Sequence, residues 1–399
     1  MGKVRIRKGH VLPVVEGHPW IFARSIAEIE GEVVSGDEVD LIDPKGTFLG
    51  RGFYSADSSI RVRIFSYKKD LRADPEFFLE RIERAARYRK EILGLPSPEQ
   101  TDAFRLVHSE GDGLPGLVID LYGDVAVCQI SHVAMEKRKD SILKALGEVI
   151  GPQAVFQADD PEMRKLEGLD LGSGWIGGRI PSGPTEVHEL GLRYRVQFEG
   201  AQKTGLFLDQ RIHREAISNL GRGRDVVDAF CHHGGFALNL AQERYGTGSI
   251  IGLDSSGRAI ESAREAADLN GLSDRVVFEK ADVYRWLGAA RREKRTYGLV
   301  LLDPPPYARS SRHVRAALQK YRELHRLALT ILEPNGILVT SCCSRSVGED
   351  VFERMLARSA LDTGRSVRVF HRGSQSPDHP VSPGCPQGRY LKVFYLHVD

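Results

Sequence analysis

The stretch DVVDAFCHHGGFALNLAQER, residues 225–244, passes from a short apolar run through a glycine pair into helix-forming residues. Its first part reads as a strand ending at Asp228, and Gly234 and Gly235 mark a turn that opens a helix. Glycines there let the turn approach a ligand closely and leave helix N–H groups exposed, which suits a carboxylate as well as a phosphate. The same grammar continues downstream. SIIGLD (249–254) ends at Asp254, and SGRAIESAREAADLNG (256–271) is its helix, closed by Gly271. RVVFEKAD (275–282) ends at Asp282, YGLVLLDPPPY (297–307) carries Asp303, and GILVTSCCS (336–344) follows a further helix. Strands alternating with helices predict a parallel sheet of βαβ units. Successive strands thus deliver an acid or a thiol at their carboxyl ends, the edge where open α/β sheets bind ligands.

Each position has a chemical use. Asp254 stands where an acid accepts hydrogen bonds from both hydroxyls of a ribose, and Asp282, one strand further on, can meet a nucleobase edge. A Gly-Gly turn alone is weak evidence for a cofactor; three spaced acids beside it favour a nucleoside. No GxxxxGK[ST] is present, so a P-loop nucleotide hydrolase does not fit. After Asp303, the prolines Pro304 and Pro305 cannot continue a strand, and the backbone leaves the sheet as a rigid extended turn. Such a turn shows its acid and carbonyls to a substrate base. Tyr307 would either stack on that base or pack as a loop aromatic. The adjacent thiols of Cys342 and Cys343, set just past a buried strand, are candidates for nucleophilic chemistry.

Upstream the pattern differs. The chain has 399 residues, enough for two or three cores. Residues 1–72 hold short β-rich runs broken by glycine, as in a small barrel. Residues 73–184 read as an α+β domain that opens with a helix capped by Asp74, with Phe77, Phe78, Ile82 and Ala85 at helical spacing. The α/β pattern occupies 185–399. Net charge is only +2, so any RNA contact rests on local clusters such as KVRIRKGH (3–10), RIERAARYRK (81–90) and ARREKR (290–295), each of which reads equally well as a solvated face. Five scattered cysteines without a CxxC pair point to free thiols in a cytoplasmic protein. No run approaches the roughly 20 apolar residues of a membrane span. Adjacent histidines on a turn, His232 and His233, seldom converge on one ion, so no metal is expected.

Several longer stretches carry a resemblance. GHPWIF (17–22) and GRGFYS (50–55) resemble a PUA domain, an RNA-binding barrel, and RLVHSEGDGLPGLVID (105–120) resembles the signature of a central domain. QKTGLFLDQR (202–211), DHPV (378–381) and GRYLK (388–392) are similar to further motifs of the same family. End to end, the chain resembles the ribosomal RNA large subunit methyltransferase I family, whose C-terminal domain is a Rossmann-like class I S-adenosylmethionine-dependent methyltransferase and whose members modify cytosine at C5. The resemblance implies a cofactor, S-adenosyl-L-methionine, and a partner, large-subunit ribosomal RNA; a homodimer is compatible with it. It also implies that Gln202, Lys203, Thr204 and the loop from Cys231 to Phe236, including His233, Gly234 and Gly235, surround the methionine part. Asp228 and Phe230, which flank that loop, and Asp303 would also bind the cofactor. Asp254 with Ser255 would hold the ribose, Asp282 with Val283 the adenine, and Asp303 with Pro304, Pro305 and Tyr307 would face the substrate. In the family's SCS motif the cysteine is the nucleophile, which falls on Cys343, with Cys342 replacing a serine. The loop CHHGGF departs from the aromatic-threonine pattern usual there, and Pro306 stands where lysine is frequent.

A thiol has a clear use in this chemistry. Cytosine C5 is too weak a nucleophile to take a methyl group unaided, and thiolate addition at C6 turns the ring into an enamine-like nucleophile. Because a free cysteine has a pKa near 8.5, the site must favour the thiolate through nearby positive charge or coupled protonation of the base. Asp303, bonding the N3/N4 edge, would encourage that protonation. Two alternatives stay open: a methyltransferase acting on another RNA position, and a non-catalytic RNA-binding protein with the same fold.

Overall fold

The structure, a computed structural model, describes residues 1–199, 206–308 and 310–399. The chain packs as two compact units. The first comprises Met1–Glu189, Val196–Leu208 and Pro377–Gly388, and the second Leu190–Arg195, Asp209–Ser376 and Arg389–Asp399.

The first unit begins with a six-stranded sheet in the spatial order Trp20–Phe22, Ile60–Ser66, Phe48–Tyr54, Glu38–Ile42, Gly2–Ile6, Ile26–Glu30. Alternation along these strands buries Val4, Ile6, Val39, Leu41, Val62 and Ile64 on one side. A five-stranded sheet follows, and Pro75–Arg87 and Lys139–Val149 are its principal helices. The Asp74 side chain accepts the Phe77 N–H at 2.9 Å and so starts the first helix, whose Phe77, Phe78, Ile82 and Ala85 are buried. Each buried phenylalanine contributes roughly 1.5–3 kcal/mol. Phe53 and Phe65 of the first sheet stack at 4.4 Å and join the same core.

The RLVHSEGDGLPG stretch is absorbed by ionic and polar bonds within this unit. The fully buried Arg89 guanidinium donates to both carboxylate oxygens of Asp112, at 2.6 and 2.9 Å, and to the Asp378 carbonyl at 2.7 Å. Arg105 donates to Asp120 at 2.7 and 3.0 Å, while its backbone N–H reaches the Asp378 carboxylate at 2.9 Å. Glu110 accepts from the Trp20 indole at 2.7 Å and from Arg63 at 2.9 Å, with its carboxyl held below the usual range although burial opposes this. The tryptophan of GHPWIF therefore ties the first sheet to the second.

The second unit is built on a seven-stranded sheet: β1 (Val226–Ala229), β2 (Ile250–Asp254), β3 (Val277–Lys280), β4 (Tyr297–Leu302), β5 (Leu332–Cys342), β6 (Val367–Gly373) and β7 (Lys392–Val398). The spatial order is β3-β2-β1-β4-β5-β7-β6, parallel throughout except for β7, which runs antiparallel to both β5 and β6. Strands β1 and β4 are buried along their whole length, as expected for a sheet covered on both faces. Among the described residues no helix is long and apolar enough to cross a membrane.

Candidate active site

The parallel register fixes the site. Ala229 pairs with Leu253 on one side and Leu302 on the other, and Leu302 pairs with Thr340. Asp254, Asp303 and the run Ser341–Cys343 consequently emerge at one edge of the sheet, with Asp228 one position inside it. The apolar runs that bury these strands are what set the register.

The loop after β1 is held in an unusual path. Phe230, His232 and Gly234 all take positive φ, at 66°, 51° and 80°. For the two non-glycine residues this costs on the order of 1–3 kcal/mol each. Gly234 is needed for a second reason, because a Cβ there would fall 2.6 Å from Phe278 Cζ. Asp254 pins the loop: one carboxylate oxygen accepts the His232 N–H at 3.0 Å and the other the Ser256 N–H at 2.8 Å. A carboxylate has about four acceptor sites, so capacity remains for two hydroxyls. The His232 and His233 Nδ1 atoms lie 2.8 Å apart, which requires one to donate and the other to accept. Burial keeps His233 neutral by pulling its pKa well below the ordinary value. Cys231 is buried and its thiol is pushed well up by that burial, which removes it as a nucleophile.

Asp228 is fully buried. Its Oδ2 accepts the Ala237 N–H at 3.0 Å, while Oδ1 has no partner among the described residues. Burial, with the charges of Asp303 and Asp254 adding to it, pushes this carboxyl up to about 7. Phe236 is buried with the Arg214 guanidinium 6.0 Å from its ring centre. Ser255 is exposed, directly after β2. Asp282 is exposed too and caps the helix Val283–Arg292 by accepting the Arg285 N–H at 2.9 Å, and Val283 is buried behind it. Gln202, Lys203 and Thr204 lie outside the described residues. An unpartnered buried carboxylate oxygen, a loop kept open by Gly234 and a ribose-competent Asp254 together fit a cofactor with an amino-acid tail and a nucleoside.

On the other side of β1, burial and the Asp209 charge push the Asp303 carboxyl up to about 6, opposed by hydrogen bonds from Ser341 and Gln210. Gln210 also donates to the Ser341 hydroxyl at 3.1 Å. The Cys343 thiol meets the Pro304 carbonyl at 3.7 Å, so the thiol and the Asp-Pro-Pro turn are neighbours. Cys343 is half-buried, whereas Cys128, Cys231, Cys342 and Cys385 are buried. The Cys342 sulfur sits 3.6 Å from the Tyr321 hydroxyl, inside the core. Tyr307 is half-buried; its hydroxyl takes a hydrogen bond from Tyr284 at 3.1 Å and its ring centre lies 4.7 Å from that of Tyr321. Pro304 is buried and Pro305 exposed.

Sequence reasoning passed over several residues that the fold brings here: Gln210, Arg214, Tyr321, Ser341 and Lys392. For Lys392 a signal was present. A lysine inside the apolar run LKVFYLHV has no place on a buried strand unless its charge is used.

The sheet order, the antiparallel β7 and the acid-lined edge define the class I methyltransferases. Residues 163–387 match the S-adenosylmethionine-dependent methyltransferase family, and residues 4–67 match a PUA-like domain. Ribosomal RNA large subunit methyltransferase I of Shewanella denitrificans is 35% identical over 398 residues, covering 99% of each chain. The protein of the same name from Tolumonas auensis is 34% identical over 391 residues, covering 98% of this chain and 97% of its own. The chain belongs to the ribosomal RNA large subunit methyltransferase I family, and its cofactor is S-adenosylmethionine. Among solved structures, SMU.776, complexed with SAH, superposes with a TM-score of 0.87 at 22% identity over 100% of both chains. A SAM-dependent methyltransferase chain from Streptococcus mutans gives 0.85 with the same identity and coverage.

Proposed function

We propose that this protein forms 5-methylcytosine in large-subunit ribosomal RNA, with Cys343 as the nucleophile that adds to C6. The observation that carries this reading is the 3.7 Å approach of the Cys343 sulfur to the Pro304 carbonyl, made by the one cysteine that is not buried. When bound, S-adenosylmethionine supplies an electrophilic sulfonium methyl. Asp228 and the loop Cys231–Phe236 would hold its amino-acid part together with Gln202, Lys203 and Thr204, Asp254 with Ser255 its ribose, and Asp282 with Val283 its adenine.

The protein's own residues do the rest. Asp303, with a carboxyl near 6, is able to share a proton with the N3/N4 edge of a cytosine at neutral pH. That protonation draws electron density from C6 and favours attack by the thiolate, which leaves C5 nucleophilic. After methylation, loss of the C5 proton restores the double bond and expels the thiol. Pro304 and Pro305 fix the turn that presents Asp303, and the target base must leave any stack at a cost of a few kcal/mol. Tyr307, half-buried beside this turn, would stack on the base. Large-subunit ribosomal RNA is taken as the partner because the curated relatives bear that name, and a cytoplasmic location goes with this reading. Neither fold nor relatives support a homodimer.

RNA carrying 5-fluorocytidine or 5-azacytidine tests the mechanism. A covalent complex that survives denaturation and maps to Cys343 is expected in the parent and not in Cys343→Ala. Methylation at the parent's rate by Cys343→Ala would refute the mechanism and point to another base position.

A further inference from the structure

Pro304, Pro305 and Pro306 carry no N–H, so directly after Asp303 the turn has no backbone donor with which to hold its place. Its two ends supply what the prolines lack. The Asp303 N–H donates to the Ala229 carbonyl at 3.3 Å, and the Ala308 N–H donates to the Ser344 hydroxyl at 3.2 Å. Ser344 directly follows Cys343, so the far end of the turn is tied to the loop that carries the thiol.

Ser344 is fully buried and held at both of its polar ends. Its carbonyl accepts the Lys392 Nζ at 2.9 Å and the Val347 N–H at 3.1 Å, and its hydroxyl lies 3.1 Å from that of Tyr321. The Cys342 thiol in turn meets the Tyr321 hydroxyl at 3.6 Å. A hydroxyl has one proton and two lone pairs. With the Ser344 oxygen accepting from Ala308 and Tyr321, and the Tyr321 oxygen accepting from Cys342, each of these contacts has its donor. Tyr321 is fixed by the helix Val314–Ile331: it is fully buried, its ring centre is 4.7 Å from that of Tyr307, and one turn further on the His325 Nε2 lies 2.8 Å from the Thr340 Oγ1 of β5. The helix therefore grips both β5 and the loop beyond it.

We infer that Tyr321 and Ser344 are positioning residues for methyl transfer: their buried hydroxyl pair, through the Ala308 N–H, sets the Asp303-Pro304 turn and the Cys343 loop at a fixed separation, so that acid and thiol act on one base. The contact of the Cys343 sulfur with the Pro304 carbonyl, at 3.7 Å, is too weak to set that separation by itself. The separation matters because reacting atoms must be held about 3–3.5 Å apart, and a misplacement of about 1 Å can cost on the order of 100-fold in rate. Tyr321 touches no substrate in this scheme and acts through Ser344 and the Tyr307 ring.

The thiol's part in this inference rests on reading Cys343 as the nucleophile. Tyr321→Phe keeps the ring and loses the hydroxyl; it, Ser344→Ala and the double variant are made in the full-length protein and assayed for methyl transfer from S-adenosylmethionine to large-subunit ribosomal RNA. In each single variant kcat should fall roughly 10- to 100-fold, while the KM for S-adenosylmethionine and its calorimetric Kd and stoichiometry stay at the parent's values. The double variant should be no slower than Ser344→Ala, because the bond between the two hydroxyls is already gone there. A parental kcat in Tyr321→Phe, losses that multiply in the double variant, or a cofactor stoichiometry that falls with kcat would overturn the inference; should Tyr321→Phe not fold, the kcat, KM and stoichiometry of Ser344→Ala decide. Cys343→Ala, assayed alongside, separates the two readings. If it still methylates while Tyr321→Phe is slow, the nucleophile reading fails and the hydroxyl pair stands as the holder of the Asp303 turn; if it is inactive while Tyr321→Phe matches the parent, the nucleophile stands and the hydroxyl pair does not. Should the parent leave that RNA unmethylated, iodoacetamide labelling of Cys343 decides: Tyr321→Phe should react faster as the loop loosens, and an unchanged rate would overturn the inference.

Discussion

Asp228 is a carboxyl sealed in the protein with one oxygen unpartnered among the described residues, and its pKa of about 7 has a consequence for stability. In the unfolded chain the group titrates near 3.9. Between those values the folded state binds the extra proton, so the contribution is complete at acid pH and is lost as pH rises through the folded value. Asp228→Asn keeps the shape without the charge. In the cofactor-free protein it should raise the unfolding free energy at pH 8 by on the order of a few kcal/mol, with little change at pH 4. Urea titrations at the two pH values measure this, and equal effects at both would contradict the assignment. Calorimetry on the same variant should show weaker S-adenosylmethionine binding. Cys342 gives the converse case. As a core residue, Cys342→Ala is expected to cost roughly 1 kcal/mol of stability while leaving the fluorocytidine adduct at Cys343 intact. Loss of the adduct without loss of stability would instead make Cys342 a partner in the chemistry.

At the scale of elements, the loop after β1 depends on left-handed backbone at Gly234. Gly234→Ala adds strain at φ 80° and drives a methyl against Phe278 and Ala263. The expected loss is about 2 kcal/mol of stability, seen as a lower Tm, together with at least a tenfold weaker cofactor Kd. An unchanged Kd would mean that the loop does not shape the cofactor pocket. The strands that carry Asp228, Asp254, Asp303 and Cys343 were legible because each is a short apolar run ending in a polar residue before a helix. Strands β6 and β7 were not: VRVFHRG is largely exposed and alternates charge with apolar residues, and the antiparallel insertion of β7 follows no βαβ rhythm. Trp20–Phe22 and Ile26–Glu30 escaped for a related reason, since edge strands carry too little buried pattern to announce themselves. The stretch AMEKRKDSILKALGEVI reads as one helix yet is broken, Val133–Glu136 being separated from Lys139–Val149 where Arg138 turns to bond the Gly36 carbonyl at 2.9 Å. Long-range bonds of that kind leave no local trace. The pairing of Lys392 with Cys342 is another, joining residues that only the folded sheet makes neighbours.

For the whole molecule, the segment Pro377–Gly388 belongs to the first compact unit although the sequence on both sides of it belongs to the second. Within that unit Asp378 receives Arg89 on its carbonyl and the Arg105 N–H on its carboxylate. Asp378→Ala strips the acceptor from a part-buried backbone donor and should cost about 1 kcal/mol, read by denaturant titration of the full chain. A fragment ending at residue 189 loses both bonds at once and should be markedly more sensitive to protease than the same residues in the intact protein. Equal resistance would show that residues 377–388 are dispensable for this unit.

That return of the chain also bears on synthesis. Nascent residues 1–189 emerge from the ribosome long before residue 378 exists, so Arg89 and Arg105 wait with unmet bonds while the methyltransferase sheet is still being made. A premature stop at 376 would therefore injure both units, taking β7 from the second and, from the first, the Asp378 acceptors of residues translated long before it.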